Sequence, residues 1–355
     1  MNSFGAIVKK TSTNREAARL AVLVVVLAVF ALAVGPSEYL SGSNFRAVFF
    51  SVSIIALIAV GQAAVLLTRN LDLSVASVLA LTAYVAAKLT QSQPDLTLVG
   101  VAAITICVGL ALGLVNGVLV GWAGLPSIIV TLATLSIFRG LMYLVSDGVR
   151  VSTADSLTRF GVSQVLGVPT VAWFAVAVAV FMAVWLRWST SGRDLYAVGS
   201  SPESARVAGV PIGRRICLAF TVSGGLAGLA GFLYAGLYAG VQMDSAIGVE
   251  FAVITAAVLG GVSVFGGVGT VLGTVLGALI VGFVNNGLTL LNLDPAIQTA
   301  FQGIAIIAVV TADALILRMV DRRALAQRRT TRRGAVRVNH RTAPTAAHAG
   351  TEGAV

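Results

Sequence analysis

The chain has 355 residues, of which 57% are apolar and only 11% charged, against roughly 25% charged in a soluble globular domain. So few charges cannot cover the outside of a water-soluble fold of this length, whereas a bilayer accepts an apolar exterior. The net charge of +10 would suit a nucleic-acid binder, but its distribution along the chain follows membrane topology and argues against nucleic acid as a partner.

Crossing a hydrocarbon layer of ~30 Å takes about 20 helical residues at 1.5 Å each. Apolar runs lie at 20–34, 47–67, 74–87, 96–122, 128–145, 171–186, 216–239, 251–262, 270–290 and 299–317. They predict an all-α polytopic membrane protein, a bundle of about ten transmembrane helices filling 20–317, between a short segment 1–19 and a tail 318–355. The third and eighth runs fall short of a full span and borrow polar or glycine-rich flanks. The first follows Lys9, Lys10, Arg15 and Arg19 as a signal peptide would, with possible cleavage contexts at Ala31-Leu-Ala33 and Ala33-Val-Gly35. Nine further runs and the charge balance favour a retained helix.

With ten crossings and a cytoplasmic N-terminus, nineteen Lys and Arg fall inside, among them Arg69, Arg187, Arg193, Arg206, Arg214, Arg215 and nine tail arginines. Four fall outside: Arg46, Lys88, Arg150 and Arg159. That asymmetry places both termini in the cytoplasm. The tail is rich in Arg, Ala and Thr without apolar periodicity, so it is expected to stay unfolded and solvated, its first half able to meet anionic lipid headgroups.

Arg69-Asn-Leu-Asp-Leu-Ser74 interrupts the apolar sequence abruptly. An ionisable group beside membrane spans marks either a solute path or a paired structural site. Asp72 lies two residues before a run beginning at Ser74, where a carboxylate also caps a helix. Asn70, Asp72, Ser74, Asn116, Asn285 and Asn286 are the candidate solute-pathway residues, and for the three in-span amides, Asn116, Asn285 and Asn286, binding a neighbouring helix is the competing role. Arg139 sits six residues from the outer end of its span and can snorkel outward.

The connection 188–215 is the longest expected inside. Within it Ser201 can cap a helix that starts at Pro202, Glu203 suits the first turn, Gly209 can close the helix, and Pro211 stops it. Ala205, Val207 and Ala208 are then available for burial against a partner surface, which so short a helix needs. Gly224, Gly225, Gly228 and Gly231, and later Gly269, Gly273 and Gly277, recur at helical spacing and predict close helix packing. The run Leu259-Gly-Gly-Val-Ser-Val-Phe-Gly-Gly-Val-Gly269 lacks the Lys of a phosphate-cradling loop, and no Lys occurs beyond Lys88. It reads as a tight turn, and the chain has no P-loop for ATP.

Cys107 and Cys217 fall in apolar runs, and His340 and His348 in the tail, so neither a disulfide framework nor a metal site is expected. A membrane enzyme would need a convergent acid, base or metal set that cannot be assembled here, and no catalytic residue is assigned. An ion-coupled transporter would need intramembrane carboxylates, for which Asp313 is the main candidate beside Asp72.

Gly192-Arg-Asp-Leu-Tyr-Ala-Val-Gly199, followed by Pro202, Ala205 and Ala208-Gly-Val210, resembles the coupling loop of monosaccharide-importing ABC transporter permeases, such as those for ribose and xylose. Asn70-Leu-Asp-Leu-Ser-Val75, Leu125-Pro-Ser-Ile-Ile-Val-Thr-Leu-Ala-Thr-Leu135 with Arg139-Gly140, and Val258-Leu-Gly-Gly261 running to Asn285-Asn-Gly-Leu288 follow in the family's order. Ser201, Ala76 and Ser204 stand where the family usually has Asn, Gly and Ala. The stretch 67–76 is closer to the rhamnose and autoinducer-2 permeases.

The resemblance implies a permease subunit of a bacterial inner membrane importer, paired with a second permease copy or homologue. A cytoplasmic ATPase, carrying ATP and Mg, would dock through Gly192, Arg193, Tyr196, Ala197, Gly199, Pro202, Ala205 and Gly209. An extracytoplasmic sugar-binding protein would dock near Arg46, Arg150, Arg159 and Glu250. Branched-chain amino acid permeases share the architecture and are the alternative within the class.

Overall fold

A computed structural model describes residues 2–294, 296–308, 310 and 311, with side chains from Glu16 onward. Residues up to Ile307 form one compact unit, and a second, from Ala308, lies almost wholly outside the described residues. The predicted tail 318–355 and the end of the last predicted span, including Asp313, fall there too.

In chain order the helices are α1 Asn2–Val34, α2 Pro36–Tyr39, α3 Gly42–Leu67, α4 Val75–Ser92, α5 Leu98–Gly121, α6 Ser127–Ser146 and α7 Asp155–Gly161. They continue as α8 Thr170–Trp188, α9 Thr190–Ser200, α10 Pro202–Val207, α11 Ile212–Tyr238, α12 Val249–Leu259, α13 Val271–Leu290 and α14 Ala296–Ala308. Four two-residue strands tie loops together: β1 Val151–Ser152 pairs antiparallel with β4 Gly240–Val241, and β2 Gln164–Val165 with β3 Val168–Pro169.

Local chemistry sets several helix starts. Ser41 Oγ accepts from Asn44 N, Thr97 Oγ1 from Gly100 N, Ser189 Oγ from Gly192 N and Thr270 Oγ1 from Gly273 N. Each satisfies a backbone donor that the first helical turn leaves free.

A helix stands at each of the ten predicted runs, but only seven of the described helices are long and apolar enough to cross a membrane. The other three are α4, α12 and α14. The 18-residue α4 is buried along most of its length, so its sequence never had to suit lipid. The 11-residue α12 is too short for a full span. Burial sorts the seven: 83% of the α3 window, 72% of α13 and 67% of α11 lie inside the protein, against 17% for α8 and 6% for α1. The core is therefore α3, α4, α11 and α13, and α1 and α8 turn most of their apolar surface outward.

The most extensive helix pair is α5 on α11. Gly109, Gly113, Gly117 and Gly121 recur every four residues along α5 and meet α11 backbone at Gly228, Gly224, Cys217 and Gly213. A Cβ on Gly113 would press against the Phe220 carbonyl oxygen and lie 3.0 Å from Gly224 Cα. Such contact is how small residues bring helices together in lipid. Gly224 and Gly228 were expected to pack closely, and their partners on α5 come only from the structure. Gly231 likewise meets α4, while Gly273 and Gly277 meet α12 at Gly260 and Ala256. The glycine run 260–269 is the tight turn expected between α12 and α13, with positive φ at Gly261, Gly266 and Gly267.

Candidate coupling site and polar core

The connection 188–215 folds as two helices. The second, α10, has the predicted form: Ser201 Oγ accepts from Ser204 N, Pro202 opens the helix, and Gly209 turns left-handed at φ 77° while Val210 N donates to Ala205 O. Ala205 is buried, but Val207 is 91% exposed and Ala208 exposed too, so two of the three expected contacts face outward. The first helix, α9, carries Gly192, Arg193, Tyr196, Ala197 and Gly199. Its helical form was not anticipated, although Ser189 three residues before Gly192 was a legible cap.

Glycines let α9 lie against its surroundings. Gly192 touches the backbone of Trp185 and Leu186, and Gly199 touches Leu67 O and Gly267 N, which leaves no room for a Cβ at either position. Gly267 N donates to Leu67 O at 3.0 Å, and Tyr196 Oη donates to Gly269 O at 3.1 Å. Burial pushes the Tyr196 phenol above its ordinary range, which keeps it a donor. Asp194 Oδ2 accepts from Arg215 Nε and lies 2.8 Å from Arg215 Nη2, fastening α9 to the start of α11. Arg193, Ala197 and Gly209 face outward, Pro202 is half-buried, and Gly199 and Ala205 serve the fold from beneath.

The chain between α3 and α4 joins this surface to the interior. Arg69 takes a left-handed φ of 64° that ends α3, and its guanidinium donates to Gly199 O at 2.5 Å and Ser200 O at 2.9 Å. Asn70 turns back on Thr68, and Leu71 N donates to Ser127 Oγ on α6 at 3.2 Å. Asp72 is 1% exposed. Its Oδ1 accepts from Ser74 N at 3.0 Å and Ser74 Oγ at 2.6 Å, and its Oδ2 from Ser223 Oγ on α11 at 3.5 Å. With its amide turned to satisfy both partners, Gln62 on α3 bonds the Asp72 backbone N and O at 3.1 Å each. Asn116 Nδ2 on α5 donates to Ser74 Oγ at 2.8 Å. Asp72 therefore braces the turn at Ser74 that leads into α4, and with Leu71 and Ser74 it ties five helices at one buried knot. Gln62, Ser127 and Ser223 could not have been singled out from isolated polar residues in apolar runs.

The other amides sit elsewhere. Asn286 and Asn44 form a reciprocal pair at 2.9 and 3.0 Å joining α13 to α3, and Asn285 Oδ1 accepts from Gln302 Nε2 on α14 at 3.3 Å. The six candidate pathway residues therefore separate into two groups, with Asn70, Asp72, Ser74 and Asn116 in one and Asn285 and Asn286 in the other.

At the opposite end Arg46, Arg150 and Arg159 are exposed, as surface contacts must be. Glu250 is not: it is 9% exposed and interacts electrostatically with Arg139. Its place in the first turn of α12 turns it inward, so it is withdrawn as a docking contact. Arg139 corrects a second expectation. Instead of snorkelling, it donates to Met243 O at 2.9 Å and Ser245 O at 2.8 Å, clasping the loop 239–248.

Residues 44–310 match the family described as the branched-chain amino acid transport system / permease component. The chain belongs to this family. It is 34% identical over 307 residues to the autoinducer 2 import system permease protein LsrC of Photorhabdus luminescens, covering 86% of this chain and 91% of the relative. It is 34% identical to the D-allose transport system permease protein AlsC of Escherichia coli (strain K12), covering 83% and 90%. The LsrC protein of Salmonella typhi is similar at 34%, covering 86% and 87%. No solved structure matches. The permease is thus an ABC-transporter subunit, a transport component and not an enzyme, and a multi-pass protein of the inner membrane.

Proposed function

We propose that this permease forms, with a second copy or a close homologue, the membrane passage of an ATP-driven importer for a monosaccharide, leaning to a rhamnose-like or autoinducer-2-like solute. The observation that carries the reading is α9 and α10, short helices with an exposed outer face, α9 seated through Gly192 on α8 and through Gly199 on Leu67 and Gly267. Short helices hold their form by being packed, and a partner that moves α9 also moves Arg69. From Arg69 the backbone runs directly to the Asp72 knot on α4, α5 and α11. The cytoplasmic ATPase would bind ATP and Mg and act here. An extracytoplasmic sugar-binding protein would deliver solute to the end bearing Arg46, Arg150 and Arg159. In this reading α4, α14 and α12, the last only together with its flanking loops, complete ten crossings with the seven longer helices, and both termini are cytoplasmic.

The sugar relatives favour a carbohydrate over a branched-chain amino acid, although the family's description names the latter. Uptake of radiolabelled rhamnose, ribose, xylose, allose, autoinducer 2 and leucine, in cells making the whole system, separates them. Arg193→Glu and Ala197→Trp, both at exposed coupling positions, are expected to abolish uptake and ATPase recovery at unchanged membrane levels. Normal uptake by both variants would sink the coupling reading, and uptake of leucine alone would replace the sugar.

A further inference from the structure

An apolar groove of about 540 Å³ runs between α3, α8 and α13. Val52 and Ala56 form one wall, Val275 and Leu279 the other, and Ala175 and Ala179 the floor. Its one polar lining residue, Ser53, spends its hydroxyl on Phe49 O. The small side chains of α8, four residues apart, open the groove by leaving the space that larger residues would fill.

At Ala183, Val271 and Leu272 the groove continues into a second hollow, also about 540 Å³, bordered by Arg187, Arg193 and Tyr196. Arg187 and Arg193 are exposed there. Arg193 uses one guanidinium nitrogen on Trp188 O, and Arg187 has no hydrogen-bond or ion-pair partner among the described residues. The carboxylate among the described residues lining the hollow is Glu16, whose Oε1 meets Arg19 at 2.7 Å and the Thr270 hydroxyl at 3.2 Å, while its Oε2 is buried without a hydrogen-bond partner. Arg187 and Arg193 outnumber it, so the hollow keeps a positive charge at the end of a slot whose lining is apolar but for Ser53. From Ala172 to Arg187 the groove face of α8 is about 22 Å long at 1.5 Å per residue, enough for the ~15 Å acyl region of one leaflet.

We propose that this groove is a binding site for an anionic phospholipid, one acyl chain lying along α8 and the phosphate held by Arg187 and Arg193. A guanidinium binds phosphate through paired N–H donors, and basic pockets between membrane helices take anionic headgroups. The occupied site would place a lipid directly beneath α9. The inference rests on the membrane reading and, for its leaflet, on the coupling end being cytoplasmic.

Native mass spectrometry of the delipidated full chain, titrated with phosphatidylglycerol or phosphatidylcholine of matched acyl chains, tests it. One phosphatidylglycerol per chain is expected to bind about tenfold more tightly than phosphatidylcholine. Arg187→Gln combined with Arg193→Gln should erase that preference and leave phosphatidylcholine binding unchanged. Ala179→Phe should weaken both lipids alike. Equal binding of the two lipids by the wild type, or a preference that survives the double substitution, overturns the proposal. So does efficient disulfide cross-linking of Val176→Cys between two copies, which would show the groove covered by protein. Neither solute nor ATPase enters the measurement, so its failure leaves the transport reading standing.

Discussion

Asp72 is a buried carboxylate whose hydrogen bonds hold the architecture around α4. Among the described residues no cation bonds to it, and its oxygens accept from Ser74 and Ser223. Replacing it by Ala leaves those buried donors without an acceptor, at roughly 1–3 kcal/mol for each buried group orphaned. Asp72→Ala should therefore lower the thermal midpoint in detergent markedly, and Asp72→Asn, which keeps an acceptor oxygen, by much less. Equal loss in both variants would point to the charge itself, and with it to a solute or ion role. Gly199 is a sharper case, because even Ala would strike Leu67 O. Gly199→Ala is therefore expected to lower the melting midpoint in detergent as well as uptake, and an unchanged midpoint would deny the contact. The sequence marked Asp72, Gly199 and Asn116 as sites, because a polar or glycine residue is conspicuous in apolar surroundings. It could not assign their partners, which come from α3, α11, the start of α4 and the 260–270 turn.

Among the elements, α5 and α11 share the longest run of close backbone contact, four glycines of α5 each leaving no room for a side chain. Gly113→Leu would force the two backbones apart; overpacking of this kind costs typically 1–3 kcal/mol, and here the obstacle is backbone, which cannot rotate away. Its unfolding midpoint should fall well below that of Gly140→Leu, a substitution where nothing lies within 4 Å. Similar midpoints for the two would deny the helix contact. Glycine periodicity was visible on α11 because the residues cluster there, whereas Gly109, Gly113, Gly117 and Gly121 on α5 lie diluted among Leu and Val. The α9 helix was hidden for another reason: its glycines read as loop until α3 and the 260–270 turn are seen to need them for contact.

For the whole molecule, the ten-crossing arrangement makes a labelling prediction. In a background lacking Cys107 and Cys217, cysteines placed at Arg150 and Arg159 should react with an impermeant maleimide from outside intact cells, and cysteines at Arg206 and Gly209 only after permeabilisation. Reaction of Arg206→Cys from outside would invert the topology and remove the coupling surface from the ATPase side. The loops support the arrangement by meeting in two separate groups. Residues 67–70, 199–200 and 260–270 touch one another, while 151–153 pairs with 239–241.

By itself the sequence determined the solvent, the approximate places of the helices, the charge asymmetry and the caps of α10, because each depends on composition or on residues within about one turn of one another. Tertiary structure decided which helices face lipid, why α4 needs no full apolar coat, and that Glu250 is buried. It also set which glycines meet and which donors surround Asp72. Those depend on groups brought together from distant parts of the chain, and in a bilayer small-residue contact and polar pairing select among helices that are all apolar.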